Sequence, residues 1–242
     1  MNTRLLYLED IQVLTCEAVV QEVTVENDTD RSMMILNQTG FYPQGGGQPY
    51  DQGKIIGVSG IYDVTEVRYF DGIVRHYGAM KEGNIKSGDR VTCHVDAERR
   101  KLHSRLHSAG HVIDMAVVQL AFVWKPGKGY HFPAGPYVEY EGSLEGIDKE
   151  ALVRELEQIC NDIITRGIAM YIVFADRAQM HQLCRFVPEN LPLDKPSRVV
   201  MYGDFGVPCG GTHVAHLADI GHITIRKVKL EKGMIRVSYQ VD

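Results

Sequence analysis

His107 and His111 stand four residues apart near the middle of the chain, and far downstream Cys209 and His213 repeat that spacing across Gly210-Gly211-Thr212. Residues four apart on a helix lie one above the other on the same face, so two imidazoles at this spacing can converge on one cation. Three imidazoles and one thiolate form a borderline to soft donor set of the kind that holds zinc tetrahedrally. Either pair alone arises by chance among surface histidines. The two together point to a metal, and the Gly-Gly between Cys209 and His213 lets the backbone fold tightly around an ion. His103, one helical turn before His107, competes for the ligand role.

A second stretch of chemical character runs from Thr39 to Asp51 and contains three successive glycines, Gly45, Gly46 and Gly47, followed by Gln48. Such a run minimises side-chain bulk and lets a ligand or another backbone come close, although a flexible surface turn is its simplest physical reading. No Lys-Ser/Thr pair follows it, so it is not a Walker phosphate loop. No Ser-His-Asp arrangement declares itself. A metallopeptidase fails on one residue, because Ser108 stands where the zincin signature has its general-base Glu.

The elements that must position these residues divide the chain at about residue 95. Residues 1–95 read as short β-prone runs, including Met33 to Leu36 and Ile55 to Val58, separated by turn signals at Asn27-Asp28, Gly40 and Gly60. Asp71-Gly72 between Val67-Arg68-Tyr69-Phe70 and Ile73-Val74-Arg75 is a two-residue hairpin signal. This predicts a small antiparallel β-barrel or sandwich. Residues 96–242 predict an α+β domain with helices on one face of a mainly antiparallel sheet. Asp96 caps the helix that carries His107 and His111, and Leu102, Leu106, Ala109, Ile113, Ala116 and Leu120 form its core-facing stripe. His103, His107 and His111 form a second stripe well over a quarter turn away, so they are not forced into the main core, and Pro126-Gly127 is the expected stop. A hairpin around Ala134-Gly135-Pro136, a helix from Lys149 to Thr165 closed by Gly167, a short helix over 175–183, and two terminal strands turned at Lys232-Gly233 complete the reading.

Of the 242 residues, 44% are hydrophobic and 24% charged, the balance of a globular protein able to bury a core. No apolar run is long enough to span a membrane and no signal peptide is legible, so the cytoplasm is the expectation. Five cysteines without framework spacing read as free thiols. The formal net charge of -5 gives no global attraction to nucleic acid, so a polyanion would need a local basic patch. Arg99, Arg100, Lys101 and Arg105 crowd the helix start, Lys125 and Lys128 follow its end, and Arg226, Lys227, Lys229, Lys232 and Arg236 gather near the C-terminus.

Taken together, Thr39-x-Phe41-Tyr42-Pro43-x-Gly45-Gly46-Gly47-Gln48, His107-x-x-x-His111 and Cys209-Gly210-Gly211-Thr212-His213 closely resemble the editing domain of alanyl-tRNA synthetases and its free-standing relatives, the AlaX proteins. The stretch from Gly129 to Gly142 looks like the free-standing branch, and the glycine-rich motif like its medium-length form. The resemblance spans about Thr39 to the C-terminus. It implies a small N-terminal β-barrel, residues 1–95, followed by a zinc-binding α+β editing domain, residues 96–242, shared with threonyl-tRNA synthetases. It further implies hydrolysis in trans of tRNA(Ala) mischarged with serine, with glycine as a second target, and zinc on His107, His111, Cys209 and His213. Thr39 then matches the residue that meets the serine hydroxyl, Gln48 a residue lining the same catalytic pocket, and Gly45, Gly46 and Gly47 its wall. A non-catalytic, zinc-stabilised RNA-binding module is the alternative, because four protein ligands usually make a closed, structural zinc site. Monomer and homodimer remain open.

Overall fold

A computed structural model describes residues 2–25, 32–189, 191 and 196–242; the expected turn at Asn27-Asp28 lies outside the described residues. The chain divides into two compact units, one of residues 1–45 and 49–101, the other of residues 46–48 and 102–242.

In the first unit, β1 (Arg4–Leu5) pairs in parallel with β4 (Gln38–Thr39). Six strands, β2 (Thr15–Val25), β3 (Ser32–Leu36), β5 (Gly53–Gly57), β6 (Gly60–Phe70), β7 (Ile73–Gly83) and β8 (Arg90–Val95), close into a barrel in the order β2-β3-β7-β6-β5-β8. Closure pairs every strand on both sides and leaves no open edge. The barrel core is built from Met34, Leu36, Phe41, Ile55, Tyr62, Val67 and Val74 among others. Asp71 and Gly72 both take positive φ, 49° and 82°, between the paired residues Phe70 and Ile73, the two-residue hairpin that their sequence predicts. Burial alternates along β7, which turns Val74 and His76 to the same buried face.

Helix α1 (Ala97–Gln119) starts where Asp96 Oδ1 accepts the Arg99 N–H at 3.0 Å. Its apolar stripe is wider than expected. Val112 and Val117 join Leu106, Ala109, Ile113 and Ala116 in the core, whereas Leu102 is exposed, and the histidine stripe is buried as well. The helix ends seven residues before Pro126. The Phe122 N–H bonds to the Val117 carbonyl at 3.2 Å and the Ala121 N–H to Val118 at 3.0 Å, while Ala121 holds φ 58°. That is a Schellman cap with alanine in the place glycine usually takes. Pro126-Gly127 instead lies within β9 (Lys125–Tyr130), the edge strand of the sheet β14-β15-β10-β9, where a missing N–H is tolerated.

The remaining elements are β10 (Tyr137–Glu141), α2 (Lys149–Thr165), β11 (Met170–Ala175), α3 (Arg177–Leu183), β12 (Ser197–Tyr202), β13 (Phe205–Pro208), β14 (Ile223–Glu231) and β15 (Met234–Val241). Asp148 caps α2, and Gly167 takes φ 60° just beyond it. The two sheets of this unit, β14-β15-β10-β9 and β11-β12-β13, are antiparallel throughout. Leu152, Leu156, Ile163 and Ile164 of α2 share one core with α1 and with Ile225, Val228, Ile235 and Val237 of the terminal hairpin. The architecture is α+β.

Candidate metal centre

The helix α1 and the loop after β13 bring His107, His111, Cys209 and His213 together, with one ligand atom from each lying within 4.8 Å of all the others. Cys209 Sγ is 3.5 Å from His107 Nε2 and 3.3 Å from His213 Nε2. A tetrahedral cation at ordinary zinc bond lengths puts a sulfur and a nitrogen ligand about 3.5 Å apart, so the cluster has the size of such a site. His111 Nδ1 is buried with no hydrogen-bond partner, as expected of a donor set meant for a cation rather than for itself. His103 is buried one turn away and is not in the cluster.

Burial, reinforced by the neighbouring histidines, holds His107 and His213 well below the usual imidazole range and lowers His111 to about 3. Burial also raises the Cys209 thiol. Neutral imidazoles are the form that binds a metal; the cysteine must still lose its proton.

Cys209, His213 and His107 are held from behind. Arg198 Nη1 donates to the carbonyls of Cys209, at 2.7 Å, and Gly211, at 2.9 Å, which ties the ligand loop to β12. His213 Nδ1 lies 3.2 Å from Ser108 Oγ and 3.1 Å from the Tyr202 hydroxyl. A Cβ on Gly211 would overlap the His107 ring, so only glycine lets the loop lie against that imidazole. The ring of His131 stacks on that of His107 at 4.4 Å between centroids. His131 Nδ1 donates to the Tyr239 oxygen at 2.7 Å, since the Tyr239 proton goes to the Leu106 carbonyl.

Gln48 belongs to this centre. Its Oε1 is 2.8 Å from His107 Nδ1 and 3.0 Å from the Thr212 N–H, and its Nε2 donates to Thr212 Oγ1 at 2.8 Å. The segment that delivers it is docked rather than flexible: the Gly47 carbonyl accepts the His131 N–H at 2.8 Å. Gly47 holds φ 77°, and a Cβ there would overlap the Gly129 carbonyl. At this position the absence of a side chain answers to another backbone.

Thr39 and Gly45 belong to the barrel unit. Thr39 is buried; its Oγ1 accepts the Phe41 N–H at 3.1 Å and lies 2.9 Å from His76 Nε2. The rest of this stretch is anchored by Asp51, which accepts the Tyr42 N–H at 2.7 Å and pairs with Arg100. Arg100 is itself buried and also donates to the Gly40 carbonyl at 2.7 Å. Arg99 donates to the Tyr50 carbonyl at 3.0 Å and Arg105 to that of Ile220 at 2.9 Å. Three of the four basic residues at the helix start thus serve the fold, and Arg100 is closed to a phosphate. Lys101, Lys128, Arg226, Lys227 and Lys232 are exposed.

Two family profiles match the chain: tRNA synthetases class II (A) over residues 4–99, and the threonyl and alanyl tRNA synthetase second additional domain over residues 197–238. An alanyl-tRNA editing protein AlaX-M of Methanosarcina barkeri is 31% identical over 230 residues, covering 91% of this chain and 93% of that protein. The chain belongs to the AlaX family. A second AlaX-M protein, of Methanosarcina acetivorans, is 30% identical and covered over 94% of both chains. The alanine–tRNA ligase of Halobacterium salinarum is 29% identical over 98% of this chain, which spans only 26% of that enzyme. The match to the class II (A) tRNA synthetases begins at residue 4, upstream of the span from Thr39 to the C-terminus over which the motifs carry the resemblance. Sequence reasoning gave no role to His131, Arg198 or Tyr202; His131 lies in the stretch from Gly129 to Gly142 that carries part of the resemblance, and Arg198 and Tyr202 stand out only as a charged and an aromatic residue at the ends of an apolar run.

Proposed function

We propose that this AlaX chain hydrolyses the ester of tRNA(Ala) mischarged with serine, and of tRNA(Ala) mischarged with glycine, using zinc held by His107, His111, Cys209 and His213. The observation that carries the metal half is the convergence of the four ligand atoms within 4.8 Å, and the AlaX-M relatives support the substrate half. When bound, zinc supplies Lewis-acid polarisation of an ester carbonyl, or a water of lowered pKa.

The chain's own residues provide recognition. Cognate alanine is smaller than serine, so it cannot be refused by size; the pocket must require the hydroxyl that serine adds. Thr39 is the residue proposed to meet it. Pockets built to hydrogen-bond a substrate hydroxyl discriminate against the analogue that lacks it by factors on the order of 10⁴. Gly45, Gly46 and Gly47 are proposed to border the aminoacyl group, and exposed Lys227 and Lys232 to meet acceptor-stem phosphates. This function places the protein in the cytoplasm with the translation machinery.

Incubation with Ser-tRNA(Ala), Gly-tRNA(Ala) and Ala-tRNA(Ala), following each ester, tests the reading directly. The closed four-ligand set favours a second reading, a zinc-stabilised RNA-binding module without catalysis. Metal removal separates the two. A chain that stays folded and loses hydrolysis is an enzyme; one that unfolds globally and never hydrolysed the ester is the structural module.

A further inference from the structure

We infer that Gln48 is a positioning residue for the metal centre: it fixes which nitrogen His107 presents to the cation, and thereby ties metal affinity to the seating of the glycine-rich segment. The inference rests on the proposed metal reading and goes one step further into the shell around it.

The amide orientation of Gln48 is set by a backbone group. The Thr212 N–H can only donate, so the atom 3.0 Å from it is the carbonyl Oε1. The same oxygen lies 2.8 Å from His107 Nδ1, and a carbonyl can only accept. His107 therefore carries its proton on Nδ1 and points a bare Nε2 at Cys209 Sγ, 3.5 Å away. Gln48 Nε2 closes the arrangement on Thr212 Oγ1 at 2.8 Å, and Thr212 Oγ1 lies 2.8 Å from Ser104 Oγ. A carbonyl that holds the far N–H of a ligating imidazole fixes its tautomer and ring angle, and raises its basicity. The oxygen reaches His107 because Gly47, next to Gln48, is locked against Gly129 and accepts the His131 N–H at 2.8 Å.

The test measures metal binding rather than turnover. Cobalt(II) serves as the probe, by its visible absorption and by competition with a chelator, on the purified protein. Gln48→Leu should weaken cobalt binding about 10- to 100-fold. Gln48→Glu keeps an acceptor for both N–H groups and should stay within about threefold of the parent. Gly47→Ala, which leaves Gln48 in place but collides with Gly129, should weaken binding in the same direction as Gln48→Leu. Nitrogen-15 spectra of the metal-free parent should show His107 protonated on Nδ1, and that preference should be lost in Gln48→Leu. Equal cobalt affinity in parent and Gln48→Leu overturns the inference, as does an Nε2-protonated His107 in the parent. A parent that binds no cobalt overturns the metal reading itself.

Discussion

The Thr39 hydroxyl donates its proton to His76. His76 Nδ1 lies 3.0 Å from the Met34 carbonyl, which can only accept, so the ring is protonated there and Nε2, 2.9 Å from Thr39 Oγ1, is a bare acceptor. Burial lowers His76 to about 4 and keeps it neutral at working pH. With the Phe41 N–H on one lone pair, Thr39 keeps one lone pair to offer a ligand.

A group that meets Thr39 must therefore bring a proton of its own. The seryl ester can donate one; a 3-fluoroalanyl ester has nearly the same shape and cannot. The fluoroalanyl ester should be cleaved about 10- to 100-fold more slowly than the seryl ester, the cost of one lost hydrogen bond. Thr39→Val should show a similar loss on serine, with metal content unchanged and glycine ester hydrolysis near the parent rate. Equal rates on the two esters would remove Thr39 as the hydroxyl reader.

Metal uptake should release about one proton per chain near neutral pH. His107, His111 and His213 are already neutral, while the Cys209 thiol is held protonated by burial. Calorimetry in buffers of different ionisation enthalpy counts that proton. In Cys209→Ser the count should drop, and release of two or more would mean that histidines enter the site charged.

The metal-free fold should lose stability on acidification. His76 and His131 are lowered by burial to about 4, and His111 to about 3, against 6.5 for an exposed imidazole. The unfolded chain then binds more protons than the folded one. These groups contribute stability that is present above pH 6.5 and is lost as pH falls through 4. Chemical denaturation between pH 8 and 5 should show the decline, and His76→Gln should flatten it; a parent whose stability is level across this range would contradict the burial of these rings.

Arg100→Ala should destabilise the barrel unit by about 3–5 kcal/mol, because it strands the buried Asp51 carboxylate. Its effect on tRNA affinity should follow folding alone. Lys227→Gln with Lys232→Gln should leave thermal stability within about 0.5 kcal/mol and reduce the salt dependence of tRNA binding by roughly two phosphate contacts. A salt slope that responds to Arg99 rather than to these lysines would reverse the assignment.

What was legible in the sequence follows from how local each signal is. Asp71-Gly72, the Asp96 cap and the turn at Lys232-Gly233 are decided by neighbouring residues, and the structure forms each where expected. The convergence of His107 and His111 was equally legible, since their spacing reports helix geometry, whereas Cys209 and His213 join the cluster from a loop. The end of α1 was hidden because Ala121 adopts the left-handed conformation that sequence reserves for glycine. Arg99 and Arg100 read as members of a basic patch because their partners, Tyr50 and Asp51, are 49 residues away. Separation along the chain also hid the partners of Gln48, though not Gln48 itself: its hydrogen bonds reach 59 residues to His107 and 164 to Thr212.

The central claim is that a metal-bearing site in this chain cleaves the seryl ester and spares the alanyl one. Its most direct measurement is the ratio of kcat/KM for Ser-tRNA(Ala) to that for Ala-tRNA(Ala), taken on zinc-loaded protein and again after chelation with folding monitored in the same sample. The account predicts a ratio on the order of 10³ or more when loaded, and near-complete loss of serine hydrolysis on chelation with reversal by added zinc. A chain that folds, holds one zinc and cleaves neither ester, or cleaves both alike, would contradict it.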